Sequence, residues 1–463
     1  MKDVELKEVD QAKQLMTREI NGCVKVTVPE NTGVKYGLSK DELIKIAGTA
    51  GWIRTRWALL VLFWLGWVGM LAGAIVIIVQ APRCKPIPEM NWWNEGLLYQ
   101  ISDVNAFSDN GLKGVEEKLD YLSQMKVKGL VLGPIHTVQA DQLNTLDLTS
   151  VKSEVGTENK LESLLEEAHK KGISIVLNLT PNYEGESVWF HSFTAVAEKI
   201  KVSADKAEEI VKKSPIHVDS EYGALMGSVT SLSVDDISVL LNRSGVDLLL
   251  TGQPDPAESG EKQAEAIQKL YSGHLQMSLG WSLSGRTLGS LASRTSAVPV
   301  KLFHTLLFTL PGTPVLNAGD EVGLKTGEKP QTMWDLKNPD EETNATAKAL
   351  QEERIAVRNF FKALSDLRGK ERSLLHGEYV SLYSSPTSLA FLRLWDQSER
   401  FLTAVNWGID SVTMKLTYSD LPAQAQVRLS TDAANLAVDR MVSLQNLELG
   451  PKQAVLLFYP YAG

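Results

Sequence analysis

Cysteine is almost absent. The 463 residues hold two, Cys23 and Cys84. That excludes a disulfide-stapled scaffold, and a body of this length buries enough core to need none. Histidine is scarce too. The seven are scattered, with no HExxH and no paired ligand spacing, which argues against a metal site. A phosphate-cradling loop and a Gly-x-Ser-x-Gly elbow are both missing, so nothing calls for a cofactor. Positive charge is in deficit. The formal net charge is −9, which argues against nucleic acid as a partner. Long apolar runs are lacking as well, with one exception.

The exception is Trp57–Val79, WALLVLFWLGWVGMLAGAIVIIV, 23 residues without a charge. A helix rises about 1.5 Å per residue and the hydrocarbon core is about 30 Å thick, so this run predicts a transmembrane helix over 57–79. The remaining composition, 43% apolar overall, is that of a chain that folds in water. Residues 1–56 carry ten Lys/Arg and eight Asp/Glu. With the whole chain at −9 and the span uncharged, residues 80–463 carry −11. Lys40, Lys45, Arg54 and Arg56 precede the span closely; Arg83 and Lys85 follow it. That bias places the N-terminus inside. Three sequons agree, because all follow the span: Asn178-Leu-Thr, Asn242-Arg-Ser and Asn344-Ala-Thr. Asn242 and Asn344 read as loop positions. Asn178 is the poorest of the three, in the strand-like run ISIVLNLT with Pro181 behind it. The expectation is a single-pass type II membrane protein with a glycosylated ectodomain.

Residues 1–56 read as a cytosolic tail, disordered to about residue 38. Ser39-Lys-Asp-Glu42 is a capping box opening a short juxtamembrane helix on the lipid surface. Within the span, Gly66, Gly69 and Gly73 fall at i, i+3 and i+7, on one face. Small residues there let a neighbouring helix pack closely. The stalk, 80–95, holds Cys84 among Pro82, Pro86 and Pro88. Cys84 is the one cysteine after the span. In an oxidising compartment it forms an intermolecular disulfide or stays a free thiol. Trp92 and Trp93 read either as an interfacial seat or as the first packing residues of the body.

From residue 96 to 371 continuous apolar strands alternate with helical spacing: GLLYQIS, then GVEEKLDYLSQMKV, then KGLVLGPI, SLLEEAHKKG and ISIVLNL. Such strands need helices on both faces, and the economical closed solution is a (β/α)8 TIM-type barrel. From 372 to 463 short strands separated by turn residues (GEYVSLYS, SLAFLRLW, FLTAVNWG, VTMKLTY, AVLLFYP) predict an antiparallel β-sandwich.

Several segments resemble known families. Leu98-Tyr-Gln-Ile101, the run Gly111–Leu122, Gly129–Ile135, Leu306–Pro314 and Gly319-Asp-Glu-Val-Gly323 resemble the alpha-amylase glycoside hydrolase barrel. The span, Ala81-Pro-Arg-Cys84, Trp92-Trp93, Lys126–His136, Leu179–Tyr183 and Glu371–Gly377 resemble the cell-surface heavy chain of heteromeric amino-acid transporters. That resemblance covers almost the whole chain. It implies a non-catalytic accessory subunit at the plasma membrane, disulfide-linked through Cys84 to a multi-spanning light chain that it carries there. It also implies an integrin-linked role, to which residues 1–56 add nothing of their own.

The alternative is a membrane-tethered glycosidase, with a carbohydrate- or adhesion-binding ectodomain as a third reading. Glycoside hydrolysis needs two carboxylates about 5–10 Å apart at the C-terminal ends of barrel strands. Where hydrolases of the family have Asp-x-x-x-Asn-His, this chain has Asn178-Leu-Thr-Pro-Asn182-Tyr183. Gly252 stands where the nearest candidate nucleophile would be, and Trp281–Arg286 replaces the later Asn-His-Asp. Asp320-Glu321 is a carboxylate pair at a strand end, but adjacent strand residues face opposite ways, which assigns it a structural role. Residues 200–225 are short for a full strand–helix unit, so whether the barrel is complete between about 200 and 245 stays open.

Overall fold

The computed structural model describes residues 39–80, 84–139, 142–178, 224–229, 232–285, 288–295, 298–334, 336 and 344–461. Two compact units divide between Arg83 and Cys84.

In the first unit, α1 (Lys40–Ala47) begins with the expected capping box. The Ser39 hydroxyl accepts from the Glu42 amide at 3.4 Å, and the Glu42 carboxylate accepts from the Ser39 amide at 3.1 Å. The next helix, α2 (Ala50–Gln80), starts seven residues ahead of the uncharged run and contains Arg54 and Arg56. None of its residues is buried, as a helix meant for lipid requires.

The second unit carries the sheets. Seven parallel strands come in chain order: β1 (Leu97–Ile101), β2 (Val127–Leu132), β5 (Ser174–Leu177), β6 (Met226–Val229), β7 (Leu248–Thr251), β8 (Leu279–Ser282) and β9 (Thr313–Asn317). They pair in the order β5-β2-β1-β9-β8-β7-β6, an incomplete TIM-type barrel among the described residues. A hairpin, β3 (His136–Gln139) with β4 (Gln142–Val151), projects after β2. Side chains alternate as a barrel demands. Leu97, Tyr99, Ile101, Leu249 and Leu316 join the core beneath the helices, while Leu98, Leu248, Leu250 and Val315 pack inside with Trp93. Trp93 is thus a packing residue of the body. Gly129 makes room for this plug: a Cβ there would lie 2.5 Å from Leu98 and 2.8 Å from Trp92.

The helices follow from apolar spacing. The run 111–124 is not one helix but two, α3 (Gly111–Glu117) and α4 (Leu119–Gln124), broken at Lys118. Helix α5 (Glu158–Lys170) buries Leu161, Leu164 and Ala168 at i, i+3 and i+7. Helix α6 (Val234–Ser244) buries Ile237 and Leu240, is capped by Ser233, and stops at Gly245, whose φ of +66° suits glycine. Residues 226–251 therefore form a complete strand–helix–strand unit, and the shortage expected up to 245 ends at Met226. The chain between β5 and β6 lies mostly outside the described residues, Thr180–Tyr183 included.

Helices α7 (Gly260–Gly273) and α8 (Val300–Thr309) pack next to the antiparallel part, and α9 (Ala345–Lys370) packs on α8. That part is a six-stranded sheet from β10 (Glu378–Ser385), β11 (Ser388–Leu394), β12 (Arg400–Asn406), β14 (Gln424–Ser430), β15 (Met441–Ser443) and β17 (Gln453–Tyr459). A second pair, β13 (Val412–Met414) and β16 (Leu447–Leu449), covers its outer face. On the inner face Leu389, Phe391, Phe401 and Leu456 share the core of the barrel helices. On the outer face Leu392, Leu402 and Leu457 pack with Met414 and Leu449. Each such buried side chain contributes roughly 1.5–3 kcal/mol.

Two buried arginines close the end of α8, Arg368 from within the barrel and Arg393 from the antiparallel sheet. Arg393 donates to the Thr309 carbonyl at 2.7 Å and twice to the Gly377 carbonyl. Arg368 donates to the carbonyls of Phe308 at 2.7 Å, Leu310 at 3.0 Å and Gly312. Together they satisfy the carbonyls that the end of α8 leaves open, where the helix dipole favours positive charge. Burial lowers the Arg368 and Arg393 values to about 10 and about 9.

Candidate functional site

A TIM-type barrel places chemistry at the C-terminal ends of its strands. Four carboxylates stand at such ends in the described residues, and all are engaged. Asp103, after β1, accepts from the amides of Asn105 and Ala106 as a helix cap. Asp255, after β7, pairs with Arg294 at 3.0 Å. Asp320 and Glu321 follow β9 in a single turn and are 1% and 0% exposed. Asp320 accepts from the amides of Leu291 and Asn317, each at 3.0 Å, and from the Ser284 hydroxyl. Glu321 turns the other way. It accepts from Tyr99 Oη at 2.7 Å, Tyr121 Oη at 3.3 Å and the Gly319 amide at 2.9 Å. Burial raises Asp320 to about 6 and Glu321 to about 7, against the lowering effect of these donors. Groups so enclosed cannot flank a glycosidic bond. They brace the β9 turn. Among the described residues no three His, Cys, Asp or Glu come together to hold a metal ion.

The opposite end of the barrel is where the stalk enters. Cys84 is exposed and free. Lys85 beside it is tied to the antiparallel sheet. Its backbone amide donates to Asp396 Oδ2 at 3.1 Å, and its ammonium donates to Glu378 Oε1 at 2.9 Å. The ammonium also lies 6.0 Å from the Trp395 ring centroid. The Glu378 hydrogen bond and charge raise the Lys85 value. The stalk then lines a cavity of about 190 Å³ with Pro88 and Met90, before Asn94 enters the barrel base. No spacing rule links Lys85 to Glu378, 293 positions away, so the contact has no signal in the sequence.

The other expected positions fall as follows. Gly66, Gly69 and Gly73 lie on α2 with nothing within 4 Å of a Cβ at any of them. Asn344 is exposed at the start of α9, where its Oδ1 accepts from the amides of Thr346 and Ala347. Asn242 is exposed too, but in the last turn of α6 and not in a loop. Asn178 directly follows β5, and its amide donates to the Leu132 carbonyl. Cys23 lies outside the described residues.

Comparison with known proteins bears on this arrangement. Residues 24–99 match the family described as solute carrier family 3 member 2 N-terminus, and residues 99–221 match alpha amylase, catalytic domain. The chain is 39% identical over 520 residues to the amino acid transporter heavy chain SLC3A2 of Mus musculus, covering 100% of this chain and 98% of that one. The Rattus norvegicus protein of the same name matches to the same extent. The chain belongs to the family of amino acid transporter heavy chains.

A more distant heavy chain, SLC3A1 of Rattus norvegicus, is 23% identical across 93% of this chain and 88% of its own length. As a heavy chain with, among the described residues, one helix long and apolar enough to cross a membrane, the protein is a single-pass membrane protein. Among solved structures, the alpha-amylase of Geobacillus thermoleovorans complexed with acarbose superposes with a TM-score of 0.57 at 19% identity, over 80% of this chain and 99% of that one. The debranching enzyme of Nostoc punctiforme gives 0.57 at 16% identity, over 81% and 100%. These likenesses establish the amylase-like fold.

Proposed function

We propose that this heavy chain is a non-catalytic accessory subunit. It joins a multi-spanning amino-acid transporter through a disulfide at Cys84 and brings that transporter, stable and functional, to the plasma membrane. The tail lies in the cytosol, the ectodomain outside, and glycans sit on Asn242 and Asn344, with Asn178 the least suited of the three. The observation that carries this reading is the exposed thiol of Cys84, anchored to the folded body by Lys85 just beyond a membrane-spanning helix. A thiol so placed meets a partner at the membrane surface more readily than one on a free tether. The Gly66, Gly69 and Gly73 face offers a close approach to a helix of that partner. The enclosed states of Asp320 and Glu321 support the absence of glycosidase chemistry.

The test is a non-reducing gel of the protein purified from its own membranes. A heavier band that reduction splits, releasing a multi-spanning transporter identified by mass spectrometry, is the expected result. A single band with Cys84 free would overturn the covalent reading. Purified ectodomain is expected to leave α-glucosides intact; turnover lost on mutating a barrel carboxylate would revive the hydrolase.

A further inference from the structure

One turn of the antiparallel part holds the stalk beside Cys84. Glu378 opens β10 and pairs across with Leu394, the last residue of β11. The chain then turns through Trp395, Asp396, Gln397 and Ser398 before Arg400 opens β12. The Ser398 amide donates to the Trp395 carbonyl at 2.8 Å, which closes the turn. Two side chains of the turn meet Lys85. The Asp396 carboxylate accepts from its backbone amide at 3.1 Å, and the Trp395 ring centroid lies 6.0 Å from its ammonium. His376 rests against the same ring, 5.4 Å away between centroids.

These contacts do not constrain the stalk equally. The ammonium ends a flexible four-carbon stem, so its pair with Glu378 leaves the backbone loose. The amide is different. Its N–H belongs to the planar peptide unit that also contains the Cα of Cys84. Holding that N–H holds the cysteine's own Cα, and Pro86 confines Lys85 to extended backbone on the other side. The Asp396 bond is therefore the contact that places the thiol.

Asp396 does not keep this position unaided. Its φ is +38°, in the left-handed region where a side chain is strained. Such a residue persists where its surroundings over-determine it. Arg400 supplies that constraint. It is 4% exposed, and its Nη1 donates to the carbonyls of Asp396 at 2.6 Å, Ser398 at 2.7 Å and Trp395 at 3.3 Å. The guanidinium is held in turn by Asp420, whose Oδ2 accepts from Nε at 3.0 Å, and by the Tyr461 ring, with Cζ 4.7 Å from its centroid.

We propose that Arg400 is a positioning residue for the disulfide at Cys84. It fixes the 395–398 turn, the turn fixes the Asp396 carboxylate on the Lys85 amide, and that bond fixes Cys84 before a partner's thiol arrives. This rests on the reading of Cys84 as the interchain cysteine. A tethered thiol reacts at an effective concentration set by the stiffness of its tether, so a loosened stalk meets the partner's cysteine less often.

The experiment is a pulse-chase of the full chain co-expressed with its transporter, read on non-reducing gels as the rate at which the linked band appears. Asp396→Gly keeps the turn, because glycine adopts φ +38° without strain, and removes the carboxylate. It is expected to slow linking at least about threefold, with the thermal midpoint unchanged or raised. Asp396→Asn retains an acceptor oxygen and is expected to recover most of the rate. Arg400→Lys cannot reach the turn carbonyls and Asp420 at once, and is expected to slow linking as well. Combined with Asp396→Gly it adds nothing further, because both changes act through one contact. Hydrogen exchange gives a second readout. Pro86 and Pro88 carry no amide hydrogen, so a stalk peptide reports few sites besides Lys85. Exchange there is expected to quicken in Asp396→Gly and in Arg400→Lys. Linking at the wild-type rate in both variants overturns this proposal and leaves the covalent reading standing. A double variant slowed by the product of the two single effects also overturns it, because Arg400 would then act through stability and not through the turn. A wild-type chain with no linked band overturns the covalent reading and this proposal with it.

Discussion

The Lys85 ammonium sits 2.9 Å from the Glu378 carboxylate, joining the residue after Cys84 to the first strand of the antiparallel sheet. Both side chains are more than half exposed. Exposed pairs contribute about 0–1 kcal/mol, so the contact orients and adds little stability. Lys85→Glu is expected to leave the thermal midpoint nearly unchanged while lowering the disulfide-linked fraction on a non-reducing gel. Lys85→Glu with Glu378→Lys is expected to restore it. A cross-linked fraction indifferent to both variants would deny the clamp a role in placing the thiol.

Arg393 and Arg368 present the opposite case, being buried and bound to carbonyls only. Arg393→Ala removes the donor from Thr309 and Gly377 and opens a hole at the seam. A loss of about 3–5 kcal/mol in chemical denaturation is expected. Arg393→Lys recovers part of it, because an ammonium cannot span both carbonyls as the planar fork does. A loss below about 1 kcal/mol for the alanine variant would contradict the locking role.

Burial raises Asp320 and Glu321 to about 6 and about 7, above their ordinary 3.8 and 4.5. The folded chain therefore binds more protons than the unfolded chain between those limits. Their contribution is complete below about pH 4 and is lost as pH rises through 6 and 7. Glu321→Gln, which stays neutral, is expected to flatten the decline of unfolding free energy between pH 5 and 7.5. An identical slope in wild type and variant would refute the assignment.

The sequon at Asn344 doubles as the cap of α9. Asn344→Gln is expected to remove one glycan step on a gel and about 1 kcal/mol of stability. Thr346→Ala destroys the sequon, leaves the cap, and is expected to cost the glycan step alone. Asn242→Gln, on an exposed helical position, removes a glycan step with little change in stability.

The elements legible in the sequence are those with a local period. The uncharged run 57–79 announced α2, and the unbroken apolar run GLVL announced a buried parallel strand. Strands β14 to β16 escaped notice because half their positions face outward and carry polar residues. Asn242 read as a loop residue because a three-residue sequon says nothing of the helix that Ser233 and Gly245 delimit. The glycosidase question turned on carboxylates visible by name, yet only the fold reveals that Asp320 and Glu321 are sealed in. Lys85, Arg368 and Arg393 look like ordinary surface charges. Their partners lie 56 to 311 positions away, apart from Gly377, and no short-range rule reaches that far.

The shared core on the inner face of the six-stranded sheet has a mechanical corollary. Arg393 reaches from the sheet to the Thr309 carbonyl at the end of α8, so sheet and barrel are joined by that core and by hydrogen bonds. The described barrel elements and the sheet then form one packed body, to which the stalk is tied at Lys85. A force applied to the sheet passes into the barrel through that core and does not bend a linker. Trimming the antiparallel strands would strip the barrel of one of its walls.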